Sequence, residues 1–169
     1  IYQDPEIFEN TIAFNITMDI SSTEDEILSA IRLAKFENIL TNLPYGLTTD
    51  IREKGLNLSV GQKQRLALAR GLFAARFSSI LLMDEPTSSV DLPTEREIFA
   101  NILNAFTEKT IIVSLHRLHL LPKFDRIIML ENGKIIADGL SKVLLNTPGV
   151  VQDLWSGYLE KQPLATVVI

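Results

Sequence analysis

The sequence predicts an α/β fold in which a parallel sheet is joined to a separate helical lobe. Two short apolar runs, residues 78–87 and 110–116, are separated by a helical pattern at 93–109, an alternation typical of parallel strands. Residues 10–76 carry mostly helical patterns and are expected to form the lobe. With 169 residues, 46% hydrophobic and 22% charged, the composition is that of a packed globular domain.

The helical lobe is predicted from two stretches. Residues 23–40, "TEDEILSAIRLAKFENIL", open with a capping box and place Ile27, Ala30 and Ile31 on one face, which predicts an amphipathic helix. A turn at "LPYGL" follows. In "LNLSVGQKQRLALARG", residues 56–71, Ser59 and Gln62 fit a second capping box before a helix at about 60–76.

The start of this second helix could bind an anion. The first N–H groups of a helix have no partner within the helix, and the helix dipole is positive there. The small residue Gly61 lets a ligand approach the backbone, so the pattern is consistent with a phosphate-binding site. Capping boxes are common, so these residues by themselves favour an ordinary capped helix, and they leave the phosphate site open as the alternative.

Two adjacent acids end the first apolar run, "ILLMDEPTSSVD". The run predicts a strand buried on both faces, and ligands bind at the carboxyl ends of such strands. Successive side chains of a strand point to opposite faces of the sheet, so Asp84 and Glu85 cannot have the same role. One could hold Mg²⁺ and the other orient a water, whereas the alternative is a solvated acidic turn. His116 ends the second strand and could reach the same edge.

The remaining elements follow from local signals. Pro93 stands near the start of the helix at 93–109, where proline is tolerated. Asn132-Gly133 predicts a hairpin between two strands in "RIIMLENGKIIADG", and residues 141–160 are predicted to be helical. The net charge of −5 gives no general footprint for nucleic acid, and the absence of cysteine excludes disulfides and thiolate metal sites. No apolar run approaches the roughly 20 residues of a membrane helix.

The order of these motifs resembles the nucleotide-binding domain of ATP-binding cassette (ABC) transporters. Gln3 matches the Q-loop glutamine, "LSVGQ" the family signature, "ILLMDEPT" the Walker B strand with its catalytic glutamate, "SSVD" the D-loop and His116 the switch histidine. The match covers residues 1 to about 140. It implies a P-loop NTPase (RecA-like) parallel sheet core, incomplete here, with an inserted α-helical signature subdomain.

The resemblance also implies roles for single residues. Glu85 and His116 would be catalytic, and Asp84 and Gln3 would hold Mg²⁺. The ATP-binding residues would be Ser59, Gly61, Gln62, Gln3 and Asp91. In the family, two such domains close head to tail, and each signature helix caps the γ-phosphate of the ATP bound by its partner. A second nucleotide-binding domain, and no nucleic acid, is therefore the expected partner.

Residues 43–59 resemble the exporter pattern that precedes the signature. Glu53 matches the glutamate that couples to the transmembrane domains, which implies a place at the cytoplasmic face of a membrane within an integral membrane protein. Arg52 stands where exporters usually have glycine, which puts the local turn in doubt. Val60 replaces a signature glycine, so a branched side chain sits at the phosphate face; it is either a tolerated substitution or the mark of a variant site.

The sequence holds no Gly-x-x-x-x-Gly-Lys-[Ser/Thr] loop, which in the family cradles the phosphates and lies upstream of the Q-loop. We interpret the chain as the C-terminal portion of one ATPase domain: a helical subdomain at about 10–76, an α/β core at about 78–140, and C-terminal helices and tail at 141–169. Alone it is expected to be inactive. The alternatives are a soluble ABC-type ATPase of translation or DNA repair, and a non-enzymatic interaction fragment.

Overall fold

The structure, a computed structural model, describes residues 1, 6–51 and 58–160. The chain forms two compact units, Ile1–Ser114 and Leu115–Ile169, which are described separately. The three-part organisation expected from the sequence stays a prediction.

The first unit contains five helices and two strands in its described residues. They are α1 (Ile12–Thr17), α2 (Glu24–Leu33), α3 (Glu37–Thr41), α4 (Val60–Ala75), β1 (Ile80–Asp84), α5 (Leu92–Ala105) and β2 (Thr110–Ser114), with a short 3₁₀ helix at Gly46–Thr48. Helix α4 packs against α1 and α2. Fully buried side chains fill this contact, among them Ile12, Ile16, Ile31, Leu66 and Leu68. Each buried aliphatic side chain contributes roughly 1.5–3 kcal/mol to the free energy of folding. Because α4 packs against both α1 and α2, it is the centre of the helical lobe.

The predicted helix at 23–40 is two helices. Its start is confirmed: Thr23 and Glu26 form the capping box, with the Thr23 N–H donating to Glu26 Oε2 at 2.8 Å. Helix α2 ends at Leu33, and α3 begins at Glu37. Between them Lys35 has a φ of 56°, a left-handed conformation that ends an α-helix. The apolar spacing runs across the break because Phe36 is fully buried, so periodicity alone concealed it.

A half-buried arginine fixes α4 to the start of the helical lobe. The Arg70 side chain donates to the Asn15 carbonyl at 2.6 Å, to Asn15 Oδ1 at 3.0 Å and to the Glu6 carbonyl at 2.8 Å. Asn15 is fully buried, and burial lowers the pKa of the Arg70 guanidinium. These bonds pair groups that would otherwise be costly to bury, so they define one docking position for α4.

Strands β1 and β2 form a parallel pair, which confirms the predicted parallel arrangement. Ile80 lies opposite Thr110, and Asp84 lies opposite Ser114. Ile1 bonds to the other edge of β1, since its carbonyl accepts from the Asp84 N–H at 2.9 Å while the Glu85 N–H donates toward β2.

The prediction that these strands are buried on both faces is wrong. Leu81 and Met83 are buried on one face of β1, whereas Ile80 and Leu82 on the other face are 57% and 63% exposed. Ile112 of β2 is 52% exposed on that same side. An apolar run reports that both faces favour burial but not that both are covered, and the described residues of this unit cover only one.

The second unit contains a 3₁₀ helix at Leu118–Lys123, strands β3 (Arg126–Glu131) and β4 (Lys134–Leu140), and helices α6 (Ser141–Leu144) and α7 (Val150–Glu160). The predicted hairpin is confirmed: β3 and β4 are antiparallel, and Asn132 and Gly133 have positive φ angles of 49° and 74°. Ile127, Leu145 and Val151 form the core of this unit.

The predicted helical stretch at 141–160 is two helices because Pro148 and Gly149 interrupt it. Among all described helices, none has the length and apolar character to cross a bilayer.

Candidate functional site

The start of α4 carries the predicted capping box. Ser59 Oγ accepts from the Gln62 N–H at 3.3 Å, and Gln62 Oε1 accepts from the Ser59 N–H at 2.9 Å. Ser59 has an extended backbone, as a helix N-cap requires. The Gln62 N–H is therefore engaged by the cap, and the N–H groups of residues 60 and 61 are the helix-start donors left for a ligand. The side chain of Val60 is 68% exposed at this point.

Gly61 is in contact with the turn that follows β1. A Cβ added at Gly61 would lie 2.7 Å from the Ser89 carbonyl oxygen, closer than real Cβ contacts come. The sequence suggested that the small residue makes room for a ligand, but the structure gives a second reason within the chain itself. Gly61 lets the first turn of α4 and the backbone of Ser89 approach each other.

The two acids lie where β1 ends, beside the end of β2. The Ser114 hydroxyl donates to Asp84 Oδ1, and the Glu85 N–H donates to the Ser114 carbonyl at 3.3 Å and to its hydroxyl at 3.2 Å. Asp84 is exposed, and Glu85 is half-buried. Ser114 therefore touches both acidic positions from the neighbouring strand. The sequence analysis missed it, although Asp84 and Ser114 end adjacent parallel strands.

Glu85 has a strained backbone. Its φ of 41° lies in the left-handed region, which a residue with a side chain enters at a cost of roughly 1–3 kcal/mol. The turn is closed by the Ser88 N–H, which donates to the Glu85 carbonyl at 3.2 Å. Such a conformation persists only where the surroundings hold it, so the direction of the Glu85 side chain is set by its neighbours.

Asp91 is the N-cap of α5. Its Oδ1 accepts from the Thr94 N–H at 3.0 Å, and this bond is the largest of the causes that hold the pKa of Asp91 below its usual value. The charge of Arg65 on α4 contributes less to the same lowering. Asp91 thus has a structural role in the chain by itself, besides the one that the resemblance assigns to it.

The remaining candidates lie in the second unit or outside the described residues. His116 is exposed and belongs to the second unit. Gln3, Arg52 and Glu53 lie outside the described residues. Within the described ranges, no group of three or more His, Cys, Asp or Glu side chains is arranged to hold a metal. Asp84 with the Ser114 hydroxyl nevertheless offers the oxygen ligands of Mg²⁺, an ion that proteins often bind through one or two carboxylates and the phosphates of a substrate.

Comparison with known proteins agrees with the motifs. The ABC transporter family profile matches residues 1–88. Human ATP-binding cassette sub-family C member 2 is 40% identical over 149 residues, which cover 88% of this chain and 10% of the human protein. The Mesentericin-Y105 transport/processing ATP-binding protein MesD of Leuconostoc mesenteroides is 37% identical over 156 residues, which cover 91% of this chain and 21% of that protein.

A solved structure shares the fold. A bacterial Atm1-family ABC exporter with ATP bound superposes with a TM-score of 0.82 and 32% sequence identity, covering 92% of this chain and 27% of the exporter chain. The predicted α/β fold of the P-loop NTPase class is thereby confirmed. The chain spans only a tenth to about a quarter of the length of these proteins. Since the family profile covers more than half of its residues, the chain belongs to the ABC transporter family.

Proposed function

We propose that this chain is part of an ATPase domain that binds and hydrolyses ATP to power export across a membrane. The observation that carries the proposal is the acidic turn at the end of β1, where the Ser114 hydroxyl donates to Asp84 and Glu85 is held in a left-handed conformation. The acids suit the attacking water and the metal, and the helix start suits a phosphate. Exporters and ATP-binding transport proteins among the relatives support the same function.

In this proposal Glu85 is the base that orients and activates the attacking water. Asp84 holds Mg²⁺, with Ser114 fixing the carboxylate, and Gln3 completes the ligands. When bound, Mg²⁺ neutralises charge that develops on the phosphate oxygens. His116 contacts the γ-phosphate or the water. The distinct environments of Asp84 and Glu85 favour this division, because one is exposed and the other is half-buried and turned by its left-handed backbone.

The helix start would complete the site of a second copy or a homologous domain. The N–H groups of residues 60 and 61, with Ser59 and Gln62, would contact the γ-phosphate of the ATP on that partner, and Asp91 would lie at the same interface. A helix N-terminus carries only about half a unit charge, so it can complete a phosphate site that other groups have built. The Q-loop and Glu53 region would contact the transmembrane domains, at the cytoplasmic face of the membrane.

Glu85→Gln tests the assignment of the base. The amide keeps the size and hydrogen bonding of the side chain but cannot act as a carboxylate base, and general-base catalysis is typically worth about 10²–10⁴ in rate. In the intact protein we expect ATP binding at the parental affinity and hydrolysis slowed at least a hundredfold. Hydrolysis at the parental rate would remove Glu85 from the mechanism.

His116→Ala tests the second catalytic residue. Loss of a contact to the γ-phosphate or the water is expected to depress steady-state turnover by roughly tenfold or more while ATP still binds. The nearby His119→Ala is the matched control, since His119 lies in the 3₁₀ helix at Leu118–Lys123. Unchanged turnover in His116→Ala would return His116 to a structural role.

A further inference from the structure

Gln64 is a buried amide on α4 that the sequence analysis did not single out. It is 4% exposed and stands one turn before Leu68, which is fully buried. A buried amide has two donor hydrogens and a carbonyl oxygen to satisfy, so its partners are its reason for being there. All the partners that the structure gives it lie in the turn after β1.

Three hydrogen bonds join Gln64 to this turn. Its Nε2 donates to Ser88 Oγ at 2.9 Å and to the Glu85 carbonyl at 3.3 Å, and its Oε1 accepts from the Ser89 N–H at 2.9 Å. One side chain thus binds the first residue of the turn and two residues near its end. An amide is suited to this because it donates and accepts at the same tip.

The bond to the Glu85 carbonyl reaches the strained residue itself. Glu85 has its φ of 41°, and its carbonyl accepts from both the Ser88 N–H and Gln64. On the other side, its N–H is bonded to Ser114. The peptide groups before and after Glu85 are therefore held from β2 and from α4 respectively. Gly61 adds a close approach of α4 to the Ser89 carbonyl, one turn before Gln64.

We propose that Gln64 is a positioning residue for ATP hydrolysis, which holds the main chain of the 85–89 turn so that the Glu85 carboxylate points at the water. The proposal rests on the proposed role of Glu85. Gln64 touches neither nucleotide nor water in this assignment. Its loss therefore lowers the rate of the chemical step and leaves the binding of ATP intact.

The test is Gln64→Met in the intact protein, with kcat and KM for ATP measured beside the thermal melting temperature. Methionine keeps the length and the unbranched shape but makes none of the three bonds. We expect kcat to fall about tenfold or more, with KM within twofold of the parent. Leu72→Ala is the matched control, since Leu72 is buried on the same helix two turns further on. It should lower the melting temperature at least as much and retain kcat.

A double-mutant cycle separates positioning from general damage. If Gln64 acts through Glu85, Gln64→Met adds no further loss in the Glu85→Gln background, because the base that it positions is already gone. Losses that multiply in the double variant, or a kcat that falls no more than in Leu72→Ala, overturn the proposal. If Gln64→Met has a normal kcat while Glu85→Gln is slow, the role of Gln64 is overturned and the proposed function stands. A parental rate in Glu85→Gln overturns the proposed function as well.

If Gln64→Met does not fold, Ser88→Ala tests the same connection between Gln64 and the turn, from the exposed side of the turn. It removes the shortest bond made by Gln64 Nε2 and leaves the buried amide in place. We expect kcat to fall severalfold with KM unchanged, and Ser88→Thr, which keeps a hydroxyl, to restore most of the loss. An unchanged kcat in Ser88→Ala overturns the proposal.

Discussion

The start of α4 and the turn after β1 lie side by side but are built in different ways. The start of α4 is fixed by two reciprocal bonds between Ser59 and Gln62, which are three residues apart. The turn is fixed by residues distant in sequence. Its Glu85 is bonded to Gln64, 21 positions earlier, and to Ser114, 29 positions later. The first feature needs only its own helix, whereas the second exists only when α4, β1 and β2 are assembled.

This difference decides how each region responds to change. A local cap affects only its own helix end, and it contributes about 1 kcal/mol to stability. A turn held in a strained conformation by three elements transmits a displacement of any of them to Glu85. We therefore expect substitutions at the junction of the two regions to affect hydrolysis more than substitutions at the exposed start of α4.

Among the substitutions that test this comparison, the largest effect is expected from Gly61→Ala, because Gly61 is where the two regions touch. The new Cβ would meet the Ser89 carbonyl oxygen at 2.7 Å, and since this is backbone, either α4 or the turn must move. Overpacking of this kind costs about 1–3 kcal/mol. We expect a lower melting temperature even without nucleotide, together with ATP hydrolysis reduced at least tenfold.

Gly157→Ala is the control for Gly61→Ala. It also adds one methyl to a helical glycine, but apart from the neighbouring backbone of its own helix no heavy atom of the described residues lies within 4 Å of the added Cβ. It should leave hydrolysis unchanged and raise the stability of α7 by up to about 1 kcal/mol. If Gly61→Ala melts like the parent without nucleotide and fails only when ATP is added, the ligand and not Ser89 is the reason for glycine at this position.

A smaller effect is expected from Ser114→Ala, which removes one of the distant supports of the turn. The variant loses the bond from the Ser114 hydroxyl to Asp84 and one of the two acceptors of the Glu85 N–H, while the backbone acceptor remains. A hydrogen bond contributes about 0.5–1.5 kcal/mol net, which corresponds to a fall in kcat of up to about tenfold. Titration of Mg²⁺ should also show weaker apparent binding, because Asp84 is no longer oriented.

Ser114→Thr keeps the hydroxyl and should behave like the parent protein. If Ser114→Ala retains the parental kcat and Mg²⁺ dependence, the distant bonds are not what sets the geometry of the acids. The contrast between the two regions would then be structural without being functional.

The same contrast explains how far the sequence could be interpreted. The capping boxes at Thr23 and Ser59 and the Asn132-Gly133 hairpin depend on residues within a few positions, and all three are confirmed. The parallel arrangement of β1 and β2 followed from the alternation of strand and helix patterns. The left-handed backbone at Glu85 could not be predicted, because its partners are separated from it along the chain and glutamate itself does not favour positive φ.

Polar residues on apolar helix faces were the signal that went unused. Gln64 and Asn15 stand among buried aliphatic residues, and each turned out to join elements that are distant in sequence. Pattern analysis places such residues on a face but cannot name their partners, since those come from other elements. In the same way the apolar β1 run favoured burial on both faces, while Ile80 and Leu82 are largely exposed.

The smallest effect is expected from Val60→Gly at the exposed start of α4. Val60 is the first residue of the helix and its side chain is 68% exposed, so its removal gives up little buried surface. Glycine costs at most about 1 kcal/mol in a helix interior, and the Ser59–Gln62 cap holds this end from both sides. The branched side chain stands beside the N–H groups proposed to contact phosphate, and we expect hydrolysis to be preserved or raised severalfold. The measurements are ATP hydrolysis by the intact protein and its melting temperature.

Val60→Ala, which shortens the side chain but keeps helix propensity, should hydrolyse ATP at a rate between those of the parent protein and Val60→Gly. If Val60→Gly still folds and binds ATP but loses turnover, the valine contributes to the site, and the start of α4 is not the self-sufficient element that its local bonds indicate.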